Sequence, residues 1–130
     1  MQSRNPISDV YLFDLGQSEG RLTLLSEHQH LLRRFGQLEL VDIAPGQGME
    51  APALVETDRF CFVLDGAVVA HLEDQRGQSP SQGASMDVAL DASQPRGLLM
   101  PFGVSANIHS EAGARLLMLS THAPEGGEAA

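Results

Sequence analysis

The chain of 130 residues contains no lysine, and its eight basic residues are all arginines. That absence excludes Schiff-base chemistry and any other mechanism built on a lysine amine. Cysteine occurs once, as Cys61. No disulfide can close within the chain, and no cysteine-based zinc site can be assembled. Cys61 lies in the apolar run Phe60-Cys61-Phe62-Val63-Leu64, so it reads as a small buried hydrophobe rather than a reactive thiol. Positive charge is scarce: 8 arginines against 17 acidic residues give a formal net charge of −9. Nucleic acid needs a cationic surface, so it is excluded as a partner. Binding to an anionic membrane through a basic patch is excluded on the same ground. No stretch reads as a signal peptide or a membrane span, and the expectation is a cytoplasmic protein.

Apolar residues make up 42% of the chain, enough for one domain with its own core. Long helical periodicity is missing. Short apolar runs punctuated by Gly, Pro, Asp and Ser read instead as strands of a sandwich or barrel. The candidate strands are Val10–Asp14, Arg21–Leu25, Gln37–Ile43, Arg59–Leu64, Ala67–Glu73, Met86–Leu90, Gly97–Met100, Ser105–His109 and Ala114–Thr121. The helical candidate is short, His28–Arg34. Asp65-Gly66 sits between two apolar runs and predicts a tight hairpin turn, because such turns need residues that accept positive φ. Leu38, Leu40 and Asp42 alternate with Glu39, Val41 and Ile43. Leu116–Leu119 is apolar on both faces, as expected of a strand covered on both sides by sheet or by a partner subunit. This pattern predicts a homodimer. About nine strands in one domain suggest an all-β jelly roll. The expected organisation is a lead-in over 1–19, a barrel over 20–123 and a flexible acidic tail over 124–130.

The second apolar run ends in Asp74-Gln75-Arg76-Gly77-Gln78-Ser79-Pro80-Ser81-Gln82-Gly83. This D-x-R-x-x-S-P-S-x-G stretch resembles the D-x-R-x-x-S-P-T-x-G of the nucleotide-sugar 3,5-epimerases of the cupin superfamily. Gly97-Leu98-Leu99-Met100-Pro101-Phe102-Gly103 resembles their strand ending L-x-I-P-P-G. Leu119–Glu125 resembles their closing T-x-x-Y-x-P-E. Ser18–Thr23 resembles the D-x-R-G-x-L opening of the related 3,4-ketoisomerases. The resemblance implies a cupin jelly roll, usually dimeric, with no cofactor, acting on a nucleotide-linked 4-keto-6-deoxy sugar.

Epimerases of this group use a histidine base oriented by an aspartate, and a tyrosine acid. The positions resembling theirs are substituted here. Gly46–Ala51 stands where the base would lie, and the tyrosine is replaced near His122; Tyr11 is the only tyrosine. The resemblance makes Glu50 the candidate base and His122 the candidate acid. A carboxylate base working near neutral pH needs apolar surroundings, and Met49, Ala51 and Leu54 are its sequence neighbours. Arg59 and Arg76 are candidates for a pyrophosphate, which prefers planar bidentate donors. The alternative for Arg76 is that it pairs with Asp74 and braces its own loop. His71 is a further candidate for substrate binding, against a plain sheet histidine; His109, before a turn, reads as a surface residue. His28-Gln29-His30 lies outside the expected barrel strands and has no third ligand, so no metal is expected. Two readings follow: a divergent epimerase or isomerase, or a non-catalytic cupin that binds a sugar nucleotide or small metabolite or serves as an assembly partner.

Overall fold

A computed structural model describes residues 6–123; the expected acidic tail, 124–130, lies outside the described residues. The described chain forms ten strands and one short 3-10 turn, Glu27–Gln29. The strands are β1 (Tyr11–Asp14), β2 (Gly16–Ser18), β3 (Arg21–Thr23), β4 (Gln37–Ile43), β5 (Gln47–Ala51), β6 (Arg59–Asp74), β7 (Ser85–Asp91), β8 (Arg96–Met100), β9 (Val104–Ser110) and β10 (Ala114–Ser120). All pairings are antiparallel. The helix expected over His28–Arg34 does not form. His30 takes a positive φ of 55°, which ends the turn after three residues.

The hairpin expected at Asp65-Gly66 does not form either. β6 is one strand of 16 residues that runs straight through the dipeptide. Its first half pairs with β8 and β10, completing one sheet in the order β1-β8-β6-β10-β4. Its second half pairs with β7 and β9, and β9 with β5, making the second sheet. Gly66 has φ +80°, and the register with β10 shifts just before it, Arg115 facing Asp65 and Leu116 facing Val63, so that Leu64 is the extra residue. This is a bulge that turns the strand from one sheet into the other. Asp-Gly accommodates the positive φ of a bulge as well as that of a tight turn, so the dipeptide alone does not distinguish them.

The two sheets enclose a core containing Ile43, Val63, Val68, Leu72, Val88, Leu90, Leu98, Met100, Ile108, Leu116 and Met118. The Cys61 thiol is fully buried within it, and burial pushes its pKa up to about 12, so it is inert at neutral pH. The outer side of the first sheet carries a second cluster, Leu15, Phe60, Phe62, Leu99 and Leu119. Leu24, Leu25, Leu31 and Leu32 pack against it. The doubly apolar face of β10 is thus covered in part by the chain's own segment before β4, and a partner subunit is not needed to explain Leu117 and Leu119. Phe13 and Phe62 meet edge-to-face, with ring centroids 6.3 Å apart. Both rings lie where a Cβ on Gly97 would stand, so only glycine fits under them. The architecture is a jelly roll: two antiparallel sheets joined by a bent strand around one core.

Candidate functional site at the barrel mouth

Because β6 bends at Gly66, its two ends return to the same end of the barrel. Val104 shows this directly: its carbonyl accepts from Arg59 at the start of β6, and its backbone pairs with Asp74 at the finish. Around this end lies a hollow of about 200 Å³ whose walls include Gln37, Glu39, Met49, Leu54, Arg59, Met118, Ser120 and His122.

Arg59 is the buried cation of this hollow, only 6% exposed. Its Nη2 donates to the carbonyls of Pro52 (2.8 Å), Val104 (3.1 Å) and Ala51 (3.4 Å). Its Nε is buried without a hydrogen-bond partner. Among the described residues no carboxylate lies within ion-pair distance of it. Burial lowers its pKa from the usual arginine value, yet a guanidinium stays charged in proteins. A buried, unneutralised cation is costly, and an arriving anion would offset that cost.

His122 follows β10 and is partly buried. Its Nδ1 lies 3.1 Å from the Thr121 hydroxyl, and its Nε2 lies 3.9 Å from Glu56. Gly36 holds the backbone against it: the Gly36 N–H donates to Ser120 O at 2.9 Å, and a Cβ at Gly36 would overlap the main chain of His122.

Glu50 also borders the hollow, but the alternation of β5 sends Met49 and Ala51 into the core and leaves Glu50 exposed. Its strand partner is Asn107, which in turn faces His71, which faces Asp87. Glu50 and His71 therefore share a polar row on the outer face of the second sheet. The carboxylate on the core-facing side of β4, with Val41 and Ile43, is Glu39, which borders the hollow and is exposed at the mouth. Sequence reasoning passed over it. The period-two pattern of β4 offered two sets of equal apolar count and did not say which of them faces the core.

His71 lies in that outer row with Nδ1 2.7 Å from Asp87 and Nε2 3.6 Å from Glu73. The Asp87 hydrogen bond raises its pKa, and the charges of Asp87 and Glu73 add to the shift. The folded value is raised, so this pair supports the fold below the ordinary histidine pKa and ceases to do so as pH rises through the folded value. We expect the His71 ring to titrate above its ordinary value by NMR, and Asp87→Asn to move it back down. A midpoint unchanged by Asp87→Asn would show the pair is not formed.

Arg76 is held by its own motif. Asp74 is buried and accepts from Arg76 N, Nε and Nη2 at 2.9–3.0 Å and from the hydroxyls of Ser79 and Ser81 at 2.6 Å. Arg76 then reaches Asp9 through Nη1 at 3.0 Å and the carbonyl of Ser8 through Nη2 at 2.8 Å. The D-x-R-x-x-S-P-S spacing thus describes a self-satisfied loop that clamps residues 8–9 to the barrel. The five candidates consequently fall into three places: Arg59 and His122 at the mouth, Glu50 and His71 on the outer sheet face, and Arg76 in the clamp. Among the described residues no group of three or more His, Cys, Asp or Glu is placed to hold a metal, and no helix is long and apolar enough to cross a membrane.

No protein-family model matches the chain, and no curated protein does. Solved structures do. A dTDP sugar isomerase from Desulfovibrio desulfuricans G20 superposes with TM-score 0.83 at 21% identity, covering 96% of this chain and 84% of that one. NovW, a 4-keto-6-deoxy sugar epimerase from Streptomyces spheroides, gives TM-score 0.82 at 18% identity over 95% and 68%. The rmlC epimerase of Mycobacterium tuberculosis gives 0.84 at 15% over 98% and 71%. Likeness at such low identity speaks for the fold, and the fold is the cupin jelly roll of these sugar epimerases and isomerases.

Proposed function

We propose that this protein is a divergent isomerase or epimerase acting on a nucleotide-linked 4-keto-6-deoxy sugar. The observation that carries the reading is Arg59: a buried guanidinium with an unpartnered Nε, at the mouth of a barrel whose structural likenesses include dTDP-sugar enzymes. Arg59 would hold the anionic atoms of the ligand. Glu39 and His122 would move protons. A carboxylate removes a proton from the carbon beside the keto group, and the electron pair moves into the enolate oxygen. Protonated His122 returns a proton to that carbon from the other face, and exchange with water resets both groups.

The test is solvent deuterium exchange at the carbons flanking the keto group of a dTDP-4-keto-6-deoxy sugar. Exchange catalysed by the native protein should fall at least about a hundredfold in His122→Phe and in Glu39→Gln. Exchange that survives both would remove these residues from the proposed mechanism. The second reading, a non-catalytic cupin that binds the nucleotide sugar, is favoured by one observation: Tyr11 is 53% exposed on β1, so the mouth has no tyrosine acid among the described residues. Absent exchange combined with ligand-induced thermal stabilisation would select it.

The protein is further proposed to work as a cytoplasmic homodimer. β4 is an edge strand, and Leu38, Leu40 and Phe35 are 53%, 56% and 60% exposed along it. An open edge with this much apolar surface invites pairing with a second copy. Light scattering at micromolar concentration should give twice the chain mass, and Leu40→Arg should halve it. A native monomer would refute the assembly.

A further inference from the structure

Thr121 and His122 are neighbours at the end of β10, but only His122 borders the mouth hollow. Thr121 is buried, and three of its atoms are fixed. Its N–H donates to the Asp58 carbonyl at 3.0 Å. Its carbonyl accepts from Arg34 Nε at 3.0 Å. Its hydroxyl oxygen accepts from the Asp58 N–H at 3.0 Å. Asp58 is held in turn, because its Oδ1 accepts from the Phe102 N–H at 2.9 Å. The Thr121 hydroxyl therefore has a set position.

A hydroxyl has one hydrogen to give and two lone pairs. One lone pair of Thr121 Oγ1 is taken by the Asp58 N–H. The hydrogen still needs an acceptor, because a buried donor left unpaired is costly. Among the described residues the acceptor within reach is His122 Nδ1, 3.1 Å away. That nitrogen can accept only while it carries no proton. In a neutral imidazole the hydrogen bond at one nitrogen decides which nitrogen is protonated, so the proton sits on Nε2. The other side of the ring agrees. Glu56 Oε1 lies 3.9 Å from Nε2, too far for a hydrogen bond but near enough for its charge to favour an N–H over a lone pair.

We infer that Thr121 is a positioning residue whose hydroxyl holds the neutral His122 ring with Nδ1 bare and the proton on Nε2. When the ring is charged, the hydroxyl turns and accepts from Nδ1–H in a charge-assisted bond. The same contact orients the ring in both states, and Nε2 carries a proton in both. The part this plays in the reaction rests on the reading above that His122 is the acid. The ring meets the ligand with an N–H, while the bare nitrogen that a base would need is turned to Thr121. Proton removal is thereby left to a carboxylate. The ring that has just given its proton to carbon is the exception, and it recovers one from water at Nε2.

Nitrogen-15 NMR of histidine-labelled protein tests the assignment without any ligand. Signals missing from His122→Phe identify the ring. At alkaline pH, where the ring is neutral, the native protein should show one tautomer, with Nε2 as an N–H and Nδ1 as a bare nitrogen accepting a hydrogen bond. Thr121→Val keeps the side-chain shape and removes the hydroxyl, so a mixture with the Nδ1–H form should appear. Thr121→Ser should restore the single form. A native ring protonated on Nδ1 overturns the inference even if Thr121→Val fails to fold, and so does a spectrum unchanged in Thr121→Val. In the deuterium-exchange assay Thr121→Val should lower kcat about tenfold, the worth of one hydrogen bond, with KM little changed and Thr121→Ser near native. Exchange lost in His122→Phe but untouched in Thr121→Val would sink the positioning role and keep the catalytic reading. The expected tautomer in a native protein that catalyses no exchange would do the reverse.

Discussion

Asp74→Ala is expected to lower stability by about 3 kcal/mol, the lower end of what removal of one member of a buried ion pair does. The carboxylate is fully covered, and Arg76 is 11% exposed. Deletion leaves the Arg76 guanidinium with Asp9 and the Ser8 carbonyl and takes the carboxylate acceptor from the Ser79 and Ser81 hydroxyls. Urea denaturation at pH 7 measures the loss. A change below about 1 kcal/mol would mean that the clamp behaves like an exposed pair. The pH dependence gives a second readout. Hydrogen bonds from Arg76 first, then from Ser79 and Ser81, hold the Asp74 carboxyl well below the usual carboxylate range, against the opposing effect of burial. A depressed folded pKa means that the stabilisation is complete above the unfolded value, near 4, and is lost as pH falls from there toward the folded value. The native protein should therefore weaken as pH drops below about 4, and Asp74→Ala should show a flatter acid limb.

The same clamp explains how far the sequence could be read. D-x-R-x-x-S-P-S-x-G pointed to the fold because its residues satisfy one another: a carboxylate, a guanidinium two residues on and two hydroxyls close a loop whose form depends on local contacts. Local chemistry of this kind is legible in one dimension. The period-two runs of β7, β9 and β10 were legible for the same reason. What was not legible depended on partners distant in sequence. Glu50 was placed by its distance from a missing histidine, yet the facing of β5 is set by pairing with β9, which lies over fifty residues on. Glu39 was hidden because the two alternate sets of β4 are equally apolar, and only the fold shows that Leu38 and Leu40 face outward on an edge strand while Val41 and Ile43 turn to the core. Arg59 was legible as a candidate, but its burial and its three carbonyl partners come from β5, the segment after it and β9. The second apolar layer on β10 suggested a partner subunit because nothing in residues 24–32 announces that they fold back over it.

Gly66→Ala carries the other large expected effect, and Gly20→Ala is its internal control. Both glycines have positive φ, +80° and +72°. A non-glycine residue in that region costs about 1–2 kcal/mol from backbone sterics alone. At Gly20 that is the whole penalty, because a Cβ there meets nothing within 4 Å. At Gly66 the Cβ would overlap the carbonyl oxygen of Gly113 and stand 3.0 Å from the Ala114 Cα. Both are main-chain atoms at the start of β10, which is paired with β4 and β6 at once, and Gly113 is itself at φ +96°. Neither can retreat without opening a ladder. The bulge would have to flatten, and β6 could no longer carry its second half into the other sheet. We expect Gly66→Ala to lose roughly 3 kcal/mol or more, a fall in Tm of about 12 °C at roughly 4 °C per kcal/mol, and Gly20→Ala to lose only about 1 kcal/mol. The contrast isolates close backbone approach from φ strain. Equal melting temperatures for the two variants would show that the corner of β6 is held by dihedral preference alone. They would also remove the argument that this bulge is what brings Arg59 and the clamp to one end of the barrel.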